Sequence, residues 1–170
     1  MSPSSKAHSY DRPEEVFWAA ISSHPPPFLK KETKRRGAKR QGEIYEAKAQ
    51  SFLREQYPTE YIASPWMRYR DANQNDERWC QPDGLYIDLR AGIVTIVEIK
   101  LKHTDAAWFQ LHELYAPVVG RCFGTALWNL RFCEIVRWYD PSIPFPGRHY
   151  LRPRIEETRP GETGVVIWSP

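Results

Sequence analysis

Hydrophobic positions along the chain follow two periods. Between Gln41 and Tyr57, Tyr45, Ala49, Phe52 and Leu53 recur at helical spacing and Pro58 closes the run, which predicts a helix. Three strand-like segments follow. TEYIASPWMRYR (59–70) predicts a first strand interrupted at Pro65, and 71–78 is a polar loop. RWCQPDGLYIDL (78–89) and GIVTIVEIKLK (92–102) predict the second and third strands. The third is apolar on both faces except at Glu98 and Lys100, as in a central strand. Thr104-Asp105 caps a predicted helix from Ala106 to Val119, with Trp108, Leu111, Tyr115 and Val118 as its packing face. ALWNLRFCEIVRWYDP (126–141) reads as one strand or two, and HYLRPRI (149–155) and TGVVIW (163–168) as edge strands. Upstream, Glu14 to Ile21 is expected to form one short amphipathic helix, broken by SHPPPF. The order helix, three strands, helix, strand over about 42–140 makes an α/β domain, without internal repeats.

At 170 residues, 41% of them apolar, one folded domain is expected. Residues 1–37 form a basic, Pro-rich arm, and 38–170 the domain with its C-terminal edge-strand tail. The net charge of +3 is compatible with nucleic acid without demanding it, so its distribution decides. Lys30 to Arg40 holds seven cations against Glu32 and leads straight into the first helix. Phosphate contacts are therefore expected from Lys34, Arg35, Arg36, Lys39 and Arg40, with Lys102 and a solvent-facing His103 beyond the third strand. No apolar run approaches the roughly 18 residues of a membrane span. The N-terminus lacks the apolar stretch of a secretory signal, so a cytoplasmic location is expected, with nucleoid or viral DNA association. Cys80, Cys122 and Cys133 are odd in number and hold no CxxC pair, which argues for reduced thiols rather than zinc or an iron–sulfur cluster. No ATP-binding motif is present, so an attached motor would be a separate protein.

The chemistry concentrates in Pro82 to Lys100. Arg90-Ala91-Gly92 reads as a turn between two strands, and folding there brings Asp83 opposite Glu98. Opposed residues on one face have Cβ atoms about 4.5–5.5 Å apart. Glu98 and Lys100 are two apart and share a face. Two carboxylates that close repel unless a cation sits between them, and hard oxygen ligands suit Mg²⁺ or Mn²⁺. Such an ion polarises a phosphodiester and acidifies a bound water. A nearby lysine orients that water or offsets charge on the phosphate.

Pro82-Asp83 followed by Glu98-Ile99-Lys100 resembles the signature of the PD-(D/E)XK nuclease superfamily, which includes λ-exonuclease-type and Holliday-junction-resolvase-type enzymes. The resemblance covers about Gly42 to Asp140. It implies a restriction-endonuclease-like, three-layer α/β/α core with a mixed central sheet in the order α-β-β-β-α-β. It further implies a Mg²⁺- or Mn²⁺-dependent deoxyribonuclease in DNA processing, recombination or repair. On that reading Asp83, Glu98 and the Ile99 carbonyl hold metal, and Lys100 positions the attacking water. Members also carry a glutamate on the first helix with small or apolar residues three, six and seven positions on. Glu46 meets that frame through Ala49, Phe52 and Leu53, and Glu43 is the reserve. Several families place a glutamine on the later helix, and Gln110 matches it. DNA is the implied partner; a homo-oligomer and a separate helicase or recombinase are compatible with it. The rival is a catalytically silent nucleic-acid-binding or assembly module on the same fold, against which the intact Asp83, Glu98 and Lys100 argue.

Overall fold

A computed structural model describes residues 12–27, 29, 36–72 and 76–170. The chain is mixed α/β and builds two sheets. Strands β2 (Tyr61–Ala63), β5 (Gly84–Asp88), β6 (Ile93–Lys102), β7 (Asn129–Trp138), β8 (His149–Leu151) and β9 (Thr163–Ile167) form a six-stranded sheet in the order β2-β5-β6-β7-β9-β8. Its β2-β5-β6 half is antiparallel and its β6-β7-β9-β8 half parallel. Strands β1 (Val16–Ser22), β3 (Trp66–Asp71) and β4 (Arg78–Cys80) make a smaller antiparallel sheet.

Helix α1 (Ala38–Gln56) covers one face of the large sheet. It buries Tyr45, Ala49 and Leu53 against Val97, Ile99, Cys133, Ile135 and Val166. Phe52 stays at the rim, its ring 5.1 Å from that of Trp168. On the opposite face a long helix runs from Asp105 to Phe123 in three parts: α2 (Asp105–Trp108), a π-helical stretch Phe109–Tyr115, and α3 (Ala116–Phe123). Thr104 caps it, accepting a hydrogen bond from the Ala106 N–H. Leu111, Leu114, Val118 and Val119 pack with Leu85, Val94 and Ile96 of the large sheet and with Met67 and Tyr69 of the small one.

Several expectations need correction. Glu14 to Ile21 is no helix: Val16–Ser22 is a strand paired with β3. A short run of Val, Phe, Trp and Ile suits either period, and the available partner strand decides it. The first expected strand is two strands in different sheets, β2 and β3, and the second is likewise β4 and β5. Proline is the physical reason in both cases. Pro65 and Pro82 carry no ladder N–H, and at each the chain leaves one sheet for the other. Thr163 to Trp168 is not an edge, because β9 lies between β7 and β8. The second helix outlasts Val119 and widens before Pro117. That proline offers no N–H and its ring crowds the carbonyl four residues back, and the preceding turn opens to i→i+5 bonding, with Ala116 N–H reaching Leu111 O.

The β5–β6 hairpin closes on a turn in which Asp88 Oδ1 accepts from the N–H groups of Arg90 and Ala91, and Gly92 takes a φ of 65°. At the other end, Gly84 lies under the Tyr61 ring, where an added Cβ would overlap the Tyr61 hydroxyl and ring carbons. Gly84→Ala is therefore expected to destabilise the fold by about 1–3 kcal/mol, the usual range for overpacking. Urea denaturation reads this directly; an unchanged midpoint would mean that Tyr61 does not pack there.

Candidate active site

The hairpin register sets the site. Gly84 pairs with Val97, so Asp83 and Glu98 stand next in line where β5 begins. Asp83 Oδ2 accepts a 2.6 Å hydrogen bond from the Ile99 N–H, which fixes its carboxylate against β6. Glu98 is only 2% exposed. One of its oxygens meets Lys100 Nζ at 2.7 Å; the other, Oε2, is enclosed with no hydrogen-bond partner among the described residues. Asp83, Glu98, Ile99 and Lys100 line one cleft of about 680 Å³, together with Glu43, Glu46 and Gln110. An adjoining cleft of about 790 Å³ shares Lys100 and Gln110 and is walled by Arg12, Phe109 and Glu113. The strand residues, the helix acids and the helix glutamine expected at the site are thus brought together. Both helix acids line the cleft, and the charge of Glu46 acts on Glu98 and on Lys100.

Sequence reasoning missed the groups that hold Asp83 in place. Gln50, buried on α1, donates from Nε2 to the Asp83 carbonyl at 2.7 Å and accepts at Oε1 from the Tyr61 hydroxyl at 2.7 Å. The Ser64 N–H donates to the same carbonyl at 2.7 Å. Ser64 itself has a φ of 48°, a left-handed conformation that costs a non-glycine residue on the order of 1 kcal/mol. Gln81 Nε2 ties the two sheet crossings together by donating to Ser64 O at 2.8 Å. The available signal was Gln50 itself, an amide one helical turn after Glu46 beside the apolar stripe. Arg54, a further turn on, also lines the cleft.

The expected phosphate contacts fare differently. Arg36, Lys39 and Arg40 are exposed at the start of α1, while Lys34 and Arg35 lie outside the described residues. Lys102 is exposed but lines a separate groove with Tyr45, Lys48, Arg137 and Trp138. His103 is not solvent-facing. Its side chain is fully buried, with Nδ1 2.6 Å from Glu134 Oε2 and the ring stacked on Phe145. Glu134, equally buried, pairs in register with Glu98 across β6 and β7. A partner 31 residues away in sequence turned an apparent surface histidine inward.

The electrostatics follow from burial. Burial first, then the charge of Glu98, pushes the Asp83 carboxyl well above its usual range; the Ile99 N–H and Lys100 oppose the shift. Burial pushes Glu98 up to about 7 against the pull of Lys100, with Glu46 and Glu134 adding to the rise. Burial would lower the Lys100 ammonium, yet Glu98, then Asp83 and Glu46, hold it above its ordinary value. Burial likewise raises Glu134 to about 8. Among the described residues, no three His, Cys, Asp or Glu side chains are gathered closely enough to hold an ion, and Lys100 supplies the neutralising charge at Glu98. The donor chemistry nonetheless fits a hard divalent cation: all-oxygen ligands, an orphaned Glu98 oxygen, and carboxylates whose ionisation burial disfavours even with Lys100 beside them.

No protein-family model, no curated protein and no solved structure matches the chain.

These shifts set a pH dependence. Between about pH 4.5 and 7 the unfolded chain has released the Glu98 proton that the fold still retains, and Asp83 shifts in the same direction. The folded state then binds more protons, so metal-free stability falls as pH rises through that window. Asp83→Asn keeps an acceptor for the Ile99 N–H but removes one charge. Thermal melts in EDTA should show this variant more stable than wild type at pH 8 and near-equal at pH 4. A lower melting temperature at pH 8 would contradict the electrostatic account.

Proposed function

We propose that the chain is a Mg²⁺-dependent deoxyribonuclease of the PD-(D/E)XK type, hydrolysing DNA phosphodiester bonds, with Mn²⁺ as an alternative metal. The observation that carries this reading is the convergence of Asp83, buried Glu98 and Lys100 on one cleft, with Glu98 Oε2 left without a partner. The fold is compatible with it. Helix α1, the antiparallel β2, β5 and β6, the α2–α3 helix and the parallel β7 give helix, three strands, helix, strand, with β3 and β4 diverted into the second sheet.

Asp83, Glu98 and the Ile99 carbonyl are the residues that would hold the metal, and Glu46 would bind a second ion directly or through water. When bound, Mg²⁺ would polarise the phosphodiester and make the attacking water more acidic. In the metal-free protein its carboxylate neighbours favour the protonated, cationic form of Lys100. It orients the water and offsets the negative charge that grows on the phosphate oxygens. Gln110, shared by both clefts, steadies the lysine or the scissile phosphate through its amide. Gln50 and Ser64 act one layer out, fixing the Asp83 backbone so that its carboxylate keeps its aim.

Cleavage of linear, circular, single-stranded and four-way-junction DNA by the purified chain in Mg²⁺ or Mn²⁺ tests the proposal. A protein that binds DNA but never cuts any form establishes the rival, a catalytically silent binding module. Lys100→Met keeps the apolar stem and deletes the charge. Single-turnover cleavage should drop by about 10²-fold or more, while binding measured in Ca²⁺ changes little. Comparable losses in both would make Lys100 a binding residue only. Glu46→Gln should cost more activity than Glu43→Gln, because the charge of Glu46 reaches Glu98 and Lys100. Equal or reversed losses would overturn the helical register that selects Glu46.

A further inference from the structure

The small sheet has two unlike faces. Met67 and Tyr69 of β3 point into the core and are fully buried. The alternate residues Trp66, Arg68 and Arg70 point the other way. Cross-strand neighbours complete that side: Trp18 of β1 stands opposite Arg70, and Trp79 of β4, itself buried, opposite Arg68. The guanidinium of Arg68 lies 5.5 Å from the Trp18 ring centre and 5.8 Å from that of Trp79, and Arg70 lies 6.0 Å from Trp18. Trp66 meets Trp79 edge to face at 6.3 Å. Trp18 is 37% exposed, and Arg70 is exposed beside it. An acid also reaches this face: Glu77 approaches Arg68 at 3.6 Å.

The position of this face is as telling as its composition. Ser64 and Gln81 both line the carboxylate cleft. Trp66 is two residues past Ser64, and Trp79 two residues before Gln81. On both strands the aromatic and arginine row thus starts two residues from a cleft-lining position, and from Trp66 to Arg70 it extends for roughly 13 Å of strand. Indole faces interleaved with guanidinium groups suit a polymer that alternates flat bases with phosphates. A duplex hides its base faces, so the complementary form is a single strand.

We infer that the outer face of β1-β3-β4 is a stacking platform for a single-stranded stretch of DNA continuing out of the carboxylate cleft, with Trp18 and Trp66 taking bases and Arg68 and Arg70 taking phosphates. The choice of polymer rests on the nuclease reading; the platform rests on the sheet.

The test is fluorescence anisotropy of the full chain, in Ca²⁺, with a labelled thymidine 20-mer and with a blunt duplex of the same length. Trp18→Ala should weaken binding of the single strand roughly tenfold and of the duplex far less. Trp18→Phe, which keeps an aromatic face, should restore most of the loss. Arg70→Ala should also flatten the log–log salt dependence of single-strand binding by about 0.7, the value for one phosphate contact. Unchanged affinity, or equal losses on both DNA forms, overturns the platform. So does a shift in oligomeric state by light scattering in Trp18→Ala with DNA binding intact, which would assign the face to a second copy of the chain. The nuclease reading fails separately. Platform-dependent binding without cleavage in Mg²⁺ or Mn²⁺ keeps the platform and removes the enzyme. Cleavage with binding indifferent to Trp18 and Arg70 does the reverse.

Discussion

The structure turns on one backbone oxygen, the carbonyl of Asp83. It accepts from the Gln50 side chain on α1 and from the Ser64 backbone at the other sheet crossing. Both crossings occur at prolines, where no ladder hydrogen bond is possible and the chain is free to change sheets. Two strands, β3 and β4, are thereby diverted out of the large sheet and returned. A buried carbonyl left without donors at such a junction would cost on the order of 1–3 kcal/mol. Here the donors come from the helix and from the other crossing, so α1, the large sheet and the small sheet are all referenced to the residue whose carboxylate faces the cleft. The left-handed Ser64 is the local strain accepted in exchange.

Much of the site was readable from sequence because strand chemistry is local. Alternation along β6 places Glu98 and Lys100 on one face, and a short hairpin leaves little choice of partner for Asp83. The same logic failed where partners are remote. Gln50 looks like a surface amide until Tyr61 and Asp83 fold onto it, and His103 looks like a surface histidine until Glu134 meets it from β7. One clue to Glu134 was present: an acid in the middle of Phe132-Cys133-Glu134-Ile135-Val136 mirrors Glu98 within its own apolar strand. A charge in such a run must be buried beside something that compensates it.

Fold errors have the same origin. The segment Glu14 to Ile21 is too short for its period to separate helix from strand, and its pairing with β3 is a tertiary decision. Pro65 was visible as an interruption, but an interruption does not say which sheet the next residues join. Pro117 sits within a run of helical pattern, and the widened turn before it is how that helix continues.

Burial of so much ionisable chemistry bears on enzyme against silent module. Glu98, Glu134 and His103 are enclosed in the same region of the large sheet, and Asp83 and Lys100 only partly reach solvent. Burial disfavours the charged form of each acid, a desolvation cost that apolar residues of similar shape would not carry. A binding module needs cations on its surface, and the α1 start and the outer face of the small sheet supply them without any buried charge. On the proposed nuclease reading, carboxylates placed in a low-dielectric cleft with one ammonium would serve a task in which charge changes during the event itself. Hydrolysis of a phosphodiester is such a task, because water-excluded charges act most strongly on a transition state. On that reading the energetic penalty of the cleft would be matched to turnover rather than to affinity.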